Sequence, residues 1–105
     1  MTARWIVLVA AASLTAFALP AAGADDQLKL ATDKGCTACH GVDKKVIGPS
    51  YNDVAKKYKG NATAPEMLAS KVIKGGQGVW GPIPMPPNKV SDDEAKKLVA
   101  WILAL

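Results

Sequence analysis

The sequence predicts an all-α domain, about four short helices wrapped around one central group. Three observations carry this. No stretch beyond the first two dozen residues alternates apolar and polar side chains as a half-buried strand would. The final stretch instead puts Ala95, Leu98, Val99, Ile102 and Leu105 on one helical stripe. The only two cysteines and the only histidine are gathered in Cys36-Thr37-Ala38-Cys39-His40, which gives a small chain one centre to fold around.

Residues 1–24 are set apart as a cleaved secretory signal peptide, and residues 25–105 as the folded domain. Arg4 gives a positive start. Trp5 to Leu19 is an almost unbroken apolar run closed by Pro20, and Ala22-Gly23-Ala24 offers a small-x-small cleavage site. The rival reading is a retained membrane anchor. The run is only about 15 residues and is diluted by Ser13 and Thr15, whereas a spanning helix wants about 20. Export through this leader implies a periplasmic location.

The chain has 105 residues and a formal net charge of +4, with a sequence pI near 9.2. A domain of about 80 residues buries little apolar surface, and a disulfide, a metal or a covalent cofactor is the usual staple. The positive charge is scattered, with no run long enough for a nucleic-acid arm and no nucleic-acid motif. No nucleic acid is expected as a partner. The basic surface suits encounters with acidic proteins.

Asp25 and Asp26 charge the start of a first helix running to about Lys34, where Gly35 either ends it or admits a close neighbour. A loop follows from Gly41, punctuated by Gly48-Pro49. Ser50 caps a second helix, Tyr51 to Lys59, and Gly60 stands where a terminating glycine belongs. Thr63-Ala64-Pro65-Glu66 reads as a capping box opening a third helix to about Lys74. Residues 75–90 hold too many glycines and prolines for regular structure. Ser91-Asp92-Asp93-Glu94 is a second capping box, opening the last helix.

The spacing of Cys36 and Cys39, with His40 directly after, is the attachment signature of a c-type haem. The two sulfurs, presented by one turn, form thioethers with the haem vinyl groups, and His40 ligates the iron. One covalent haem c, with its iron, is the cofactor. The other nitrogen of a ligating histidine needs a fixed acceptor, and the carbonyls around Gly48-Pro49 are candidates. A plain disulfide or a thioredoxin-like pair would fit the cysteines alone, but the latter needs βαβ elements. A zinc site lacks a fourth soft ligand.

The second axial position decides the function. His40 is the sole histidine, so a methionine is the natural partner, and it raises the potential. Met1 leaves with the leader. Met67 lies within the third helix, where core packing suits it. Met85 stands in Gly81-Pro82-Ile83-Pro84-Met85-Pro86-Pro87-Asn88, a loop that prolines hold stiff and that loses little entropy on ordering. Met85 is therefore the candidate ligand. Filled axial positions favour an electron carrier without enzymatic activity. An open position would mean a haem peroxidase or a gas-binding sensor, which needs acid or base groups nearby.

Gly35-Cys36-Thr37-Ala38-Cys39-His40, Val46-Ile47-Gly48-Pro49-Ser50-Tyr51-Asn52-Asp53-Val54-Ala55 and the run from Gly75 to Asn88 together resemble the small bacterial class I cytochromes c of the cytochrome c-551 (c8) type. The resemblance spans essentially all of residues 25–105. It implies helices packed round one low-spin haem with His and Met ligands. The resemblance implies that the first and last helices cross near the signature, which would bring Gly35 close to the Trp101 side of the last helix. It also implies that the Pro49 carbonyl accepts from His40, that Trp80 hydrogen-bonds a haem propionate, and that Asn88 steadies the Met85 sulfur.

A monomeric carrier of this type has redox proteins as partners and no small-molecule substrate. The resemblance implies a haem nitrite reductase, terminal oxidase or peroxidase as acceptor, and a quinol-oxidising complex or copper protein as donor. A subset of Lys44, Lys45, Lys56, Lys57, Lys96 and Lys97 is expected to steer such encounters. Tyr51 and Tyr58 read as packing residues or haem neighbours.

Overall fold

The computed structural model describes residues 2, 10–13 and 24–105. The expected leader therefore lies outside the described residues, apart from those few positions. Four helices follow: α1 (Ala24–Asp33), α2 (Tyr51–Lys57), α3 (Ala64–Lys74) and α4 (Asp92–Leu103), with a 3-10 turn over Cys36–Ala38. Among the described residues there are no strands, only isolated antiparallel bridges at His40–Lys45 and Gly76–Met85. The all-α expectation holds.

α4 is the spine, because α1, α2 and α3 each pack against it. Its first turn is fixed by a complete capping box. The Ser91 N–H donates to Glu94 Oε1 at 3.0 Å, and the Glu94 N–H donates to Ser91 Oγ at 3.1 Å. The stripe divides its work. Leu98 joins Ala31 and Cys36 in one cluster, flanked by Leu30 and Trp101. Ala95 and Val99 join Ala69 of α3 in another. Leu105 departs from the expected stripe: the helix ends at Leu103, and Leu105 is exposed.

α1 stops at Gly35, whose φ of 79° is left-handed. A Cβ there would meet nothing within 4 Å. Glycine is thus required by backbone conformation, not by close approach. The α1–α4 crossing buries Ala31 completely, and Trp101 packs against the same cluster, which also holds Cys36, so the two helices meet beside the signature. α2 begins with the Ser50 hydroxyl accepting from Asp53 N–H at 3.1 Å. It ends short of Lys59 because the chain tightens into a shorter-span bond, Asn61 N–H to Tyr58 O at 3.0 Å.

The capping box expected at α3 does not form. Thr63 is already in helical backbone geometry and its side chain caps nothing. The Asn61 carboxamide oxygen accepts from both the Thr63 N–H, at 3.0 Å, and the Thr63 hydroxyl, at 2.9 Å. An Asx turn has captured the threonine before the helix could.

Candidate functional site

The helices and the loops around 45–49 and 76–86 leave a cavity of about 240 Å³, lined mainly by apolar side chains such as Leu68, Val72, Leu98 and Ile102. Of the residues singled out by sequence, Cys36, Cys39, His40, Pro49, Trp80 and Met85 all line it. Asn88 does not, and Met67 of α3 is also outside the lining.

The 3-10 turn positions the first group. His40 N–H and Cys39 N–H both donate to Cys36 O, at 3.0 and 3.2 Å. That winds the two thiols and the imidazole onto one side of a tight loop. Both thiols are free, Cys36 buried and Cys39 half-buried. Burial pushes the Cys36 thiol up from its ordinary pKa, so it stays protonated.

His40 sits in a slot. Its Nδ1 is 2.7 Å from Pro49 O. A carbonyl only accepts, so Nδ1 carries a proton, and in the neutral ring this tautomer leaves the lone pair on Nε2. The loop holding Pro49 is folded back by Gly48 N–H and Ile47 N–H, which both donate to Cys39 O at 2.7 and 3.1 Å. At Gly48 a Cβ would stand 2.6 Å from His40 Cε1 and 3.0–3.1 Å from the two ring nitrogens, so no side chain fits there. The Tyr51 ring stacks on the imidazole at 5.2 Å between centroids, with 19° between planes. Trp101 meets Tyr51 edge-on at 5.5 Å and 76°. Burial holds the Tyr51 phenol well above its usual pKa, and the Cys36 thiol beside it adds to the shift.

Met85 comes from the glycine-proline loop. Gly76 N–H donates to Met85 O at 3.1 Å and Met85 N–H donates to Gly76 O at 2.7 Å, closing the loop on itself. Gly75, at φ 80°, turns α3 into this loop. A Cβ there would lie 2.5 Å from Met85 O, so both conformation and space demand glycine. Asn88 fastens the far end: its Nδ2 donates to Val72 O at 2.9 Å and to Pro86 O at 3.2 Å. Trp80 stands at the cavity rim, 43% exposed, with Lys57 Nζ 5.5 Å from its ring centroid.

The donor set suits a c-type haem. Two thiols from one turn, an imidazole with a free Nε2 and a thioether from a second loop share one apolar cavity. Among the described residues no three His, Cys, Asp or Glu side chains gather as a metal site, so the zinc reading has no ligand set. Sequence reasoning missed the Tyr51 stack, the steric role of Gly48 and the Lys57–Trp80 contact. It also missed Lys71, which lines the cavity from α3. All four depend on how distant segments meet.

A family model described as cytochrome c matches residues 28–105. Cytochrome c-551 of Pseudomonas aeruginosa is 55% identical over 83 residues, 79% of this chain and 80% of that one. Cytochrome c-552 of Nitrosomonas europaea is 45% identical over 106 residues, 100% of this chain and 99% of that one. The crystal structure of wild-type Nitrosomonas europaea cytochrome c552 superposes with a TM-score of 0.72 at 51% identity, covering 74% of this chain and 98% of that one.

Proposed function

The chain belongs to the cytochrome c family, whose covalently bound group is haem c, and from that premise we propose a periplasmic carrier of single electrons with His40 and Met85 as axial ligands. When bound, haem c supplies an iron that exchanges one electron between Fe(II) and Fe(III). Cys36 and Cys39 hold it as thioethers. His40 offers Nε2, and the Pro49 carbonyl fixes the tautomer and raises the basicity of the ring. Met85 offers its thioether from a loop closed on Gly76 and fastened by Asn88. Trp80, at the rim, would offer its indole N–H to a propionate of the bound group.

The observation that carries this reading is the pairing of His40 and Met85 on one cavity, with His40 Nδ1 already bonded at 2.7 Å. With His40 and Met85 both holding the iron, small molecules would be kept from the metal. Among the described residues the lining holds no carboxylate, no arginine and no second histidine; besides the cysteines and His40 its titratable groups are Lys45, Lys71, Tyr51 and Tyr58. No helix among the described residues is long and apolar enough to cross a membrane.

A visible spectrum of the purified ferric protein tests the ligand set. Methionine ligation gives a weak charge-transfer band at the red end, and Met85→Ala should abolish it while Met67→Leu leaves it. A wild-type ferrous protein that binds carbon monoxide readily at neutral pH would overturn the carrier reading. Partners on this reading are a haem reductase, oxidase or peroxidase as acceptor and a quinol-oxidising complex or copper protein as donor. Export is tested separately: the mature protein in the periplasmic fraction should begin at Asp25.

A further inference from the structure

Tyr51 does more than fill space. A hydrogen bond to a carbonyl fixes where Nδ1 points, but the acceptor tolerates a broad range of directions. An imidazole held only by Nδ1 and its Cβ can still swing its plane. The stacked Tyr51 ring, 19° from parallel at 5.2 Å, opposes that swing. Tyr51 is itself immobilised. It is the first residue of α2, its N–H donates to Gly41 O at 2.9 Å, it is 4% exposed, and Trp101 of α4 backs it edge-on. A run of rings therefore connects the spine helix to the imidazole: Trp101, Tyr51, His40.

We infer that Tyr51 is a positioning residue for electron transfer, its ring setting the plane of the His40 imidazole and Trp101 holding that ring in place. The inference rests on the ligation reading above. The ring, not the hydroxyl, is the working part, since only the ring faces the imidazole. The hydroxyl lies beside the Cys36 sulfur, so the two contributions separate by substitution.

The test uses the full-length holoprotein and four variants. Tyr51→Phe keeps the ring, Tyr51→Leu removes it, and Trp101→Leu removes its backing. Ile73→Ala is a core cut in the α3–α4 cluster, outside the cavity lining. The readouts are the hyperfine-shifted proton resonances of the His40 ring, the g-value spread of the ferric protein, and the reduction potential. Tyr51→Phe should match wild type. Tyr51→Leu should move the His40 resonances, broaden the g-values and shift the potential. Trp101→Leu should do the same to a smaller extent, which also covers the case in which Tyr51→Leu does not fold. Ile73→Ala should lower the melting temperature and leave all three unmoved.

The inference is overturned if the folded ring-removing variants behave as Ile73→Ala does, or if Tyr51→Phe moves the signals as far as Tyr51→Leu. A wild-type protein with no hyperfine-shifted imidazole resonances overturns the ligation reading, and this inference with it. Normal wild-type signals that the variants fail to move overturn this inference alone.

Discussion

Gly48→Ala is the sharpest perturbation of the imidazole slot. Gly48 is not among the glycines with positive φ, so alanine meets no backbone penalty. By reducing the freedom of the unfolded chain it would alone stabilise by about 0.4–1 kcal/mol. Against that, the new carbon stands 2.6 Å from His40 Cε1, about 1 Å inside the usual carbon–carbon separation. Forced repacking of this kind costs about 1–3 kcal/mol. If the ring yields by leaving Pro49 O, the orphaned polar groups add about 1–3 kcal/mol. The net expectation is a loss of about 0–2.6 kcal/mol if the bond to Pro49 O survives and about 1–5.6 kcal/mol if it is lost, with a fall in melting temperature of about 4–8 °C per kcal/mol for a domain of this size. The assay is a thermal melt of the holoprotein followed by circular dichroism, with Gly60→Ala alongside. At Gly60, φ is 76° and the space beyond is open, so that variant isolates backbone cost, about 1–2 kcal/mol. A Gly48→Ala protein that melts at or above wild type, with unshifted His40 resonances, would refute the slot.

Gly75→Ala should break the junction between α3 and the methionine loop, and loss of the methionine charge-transfer band in the ferric spectrum reads it directly. Lys57→Gln removes the cation over Trp80; it should cost about 0.5–1 kcal/mol by urea titration and weaken the near-ultraviolet signal of the tryptophans. The Glu94 carboxyl is held below its ordinary pKa, first by the Ser91 N–H and further by Lys34. A depressed carboxylate stabilises above its unfolded pKa and loses that contribution as pH falls through the folded value. Glu94→Gln should therefore flatten this part of the acid limb of a melting-temperature profile; an unchanged slope would mean the box is not coupled to folding.

The parts of the site legible in the sequence are those whose geometry is set within a few residues. Cys36 to His40 is one turn, Gly48-Pro49 holds its own backbone, and the Ser91–Glu94 box needs only partners three apart. Even local rules failed where a nearer competitor existed, as Asn61 took the Thr63 hydroxyl from α3. The Tyr51 stack and the Lys57–Trp80 contact were hidden for a different reason. Both join segments separated in the chain, and single-sequence periodicity carries no information about which aromatic will face which ring. Asn88 shows an intermediate case. Its place at the end of the methionine loop was readable, whereas its bond to Val72 O came only from the docking of that loop on α3.

The dependence of α1, α2 and α3 on α4 has a consequence in time. Translation delivers residues from the amino end, so Leu98, Val99 and Trp101 emerge after the three helices they serve. Until then Ala31 and Ala69 lack the α4 surface they close against, and α1, α2 and α3 make no contacts among themselves that would substitute. Docking of the first three helices therefore waits for α4, and so does the burial of the Cys36 thiol against Leu98.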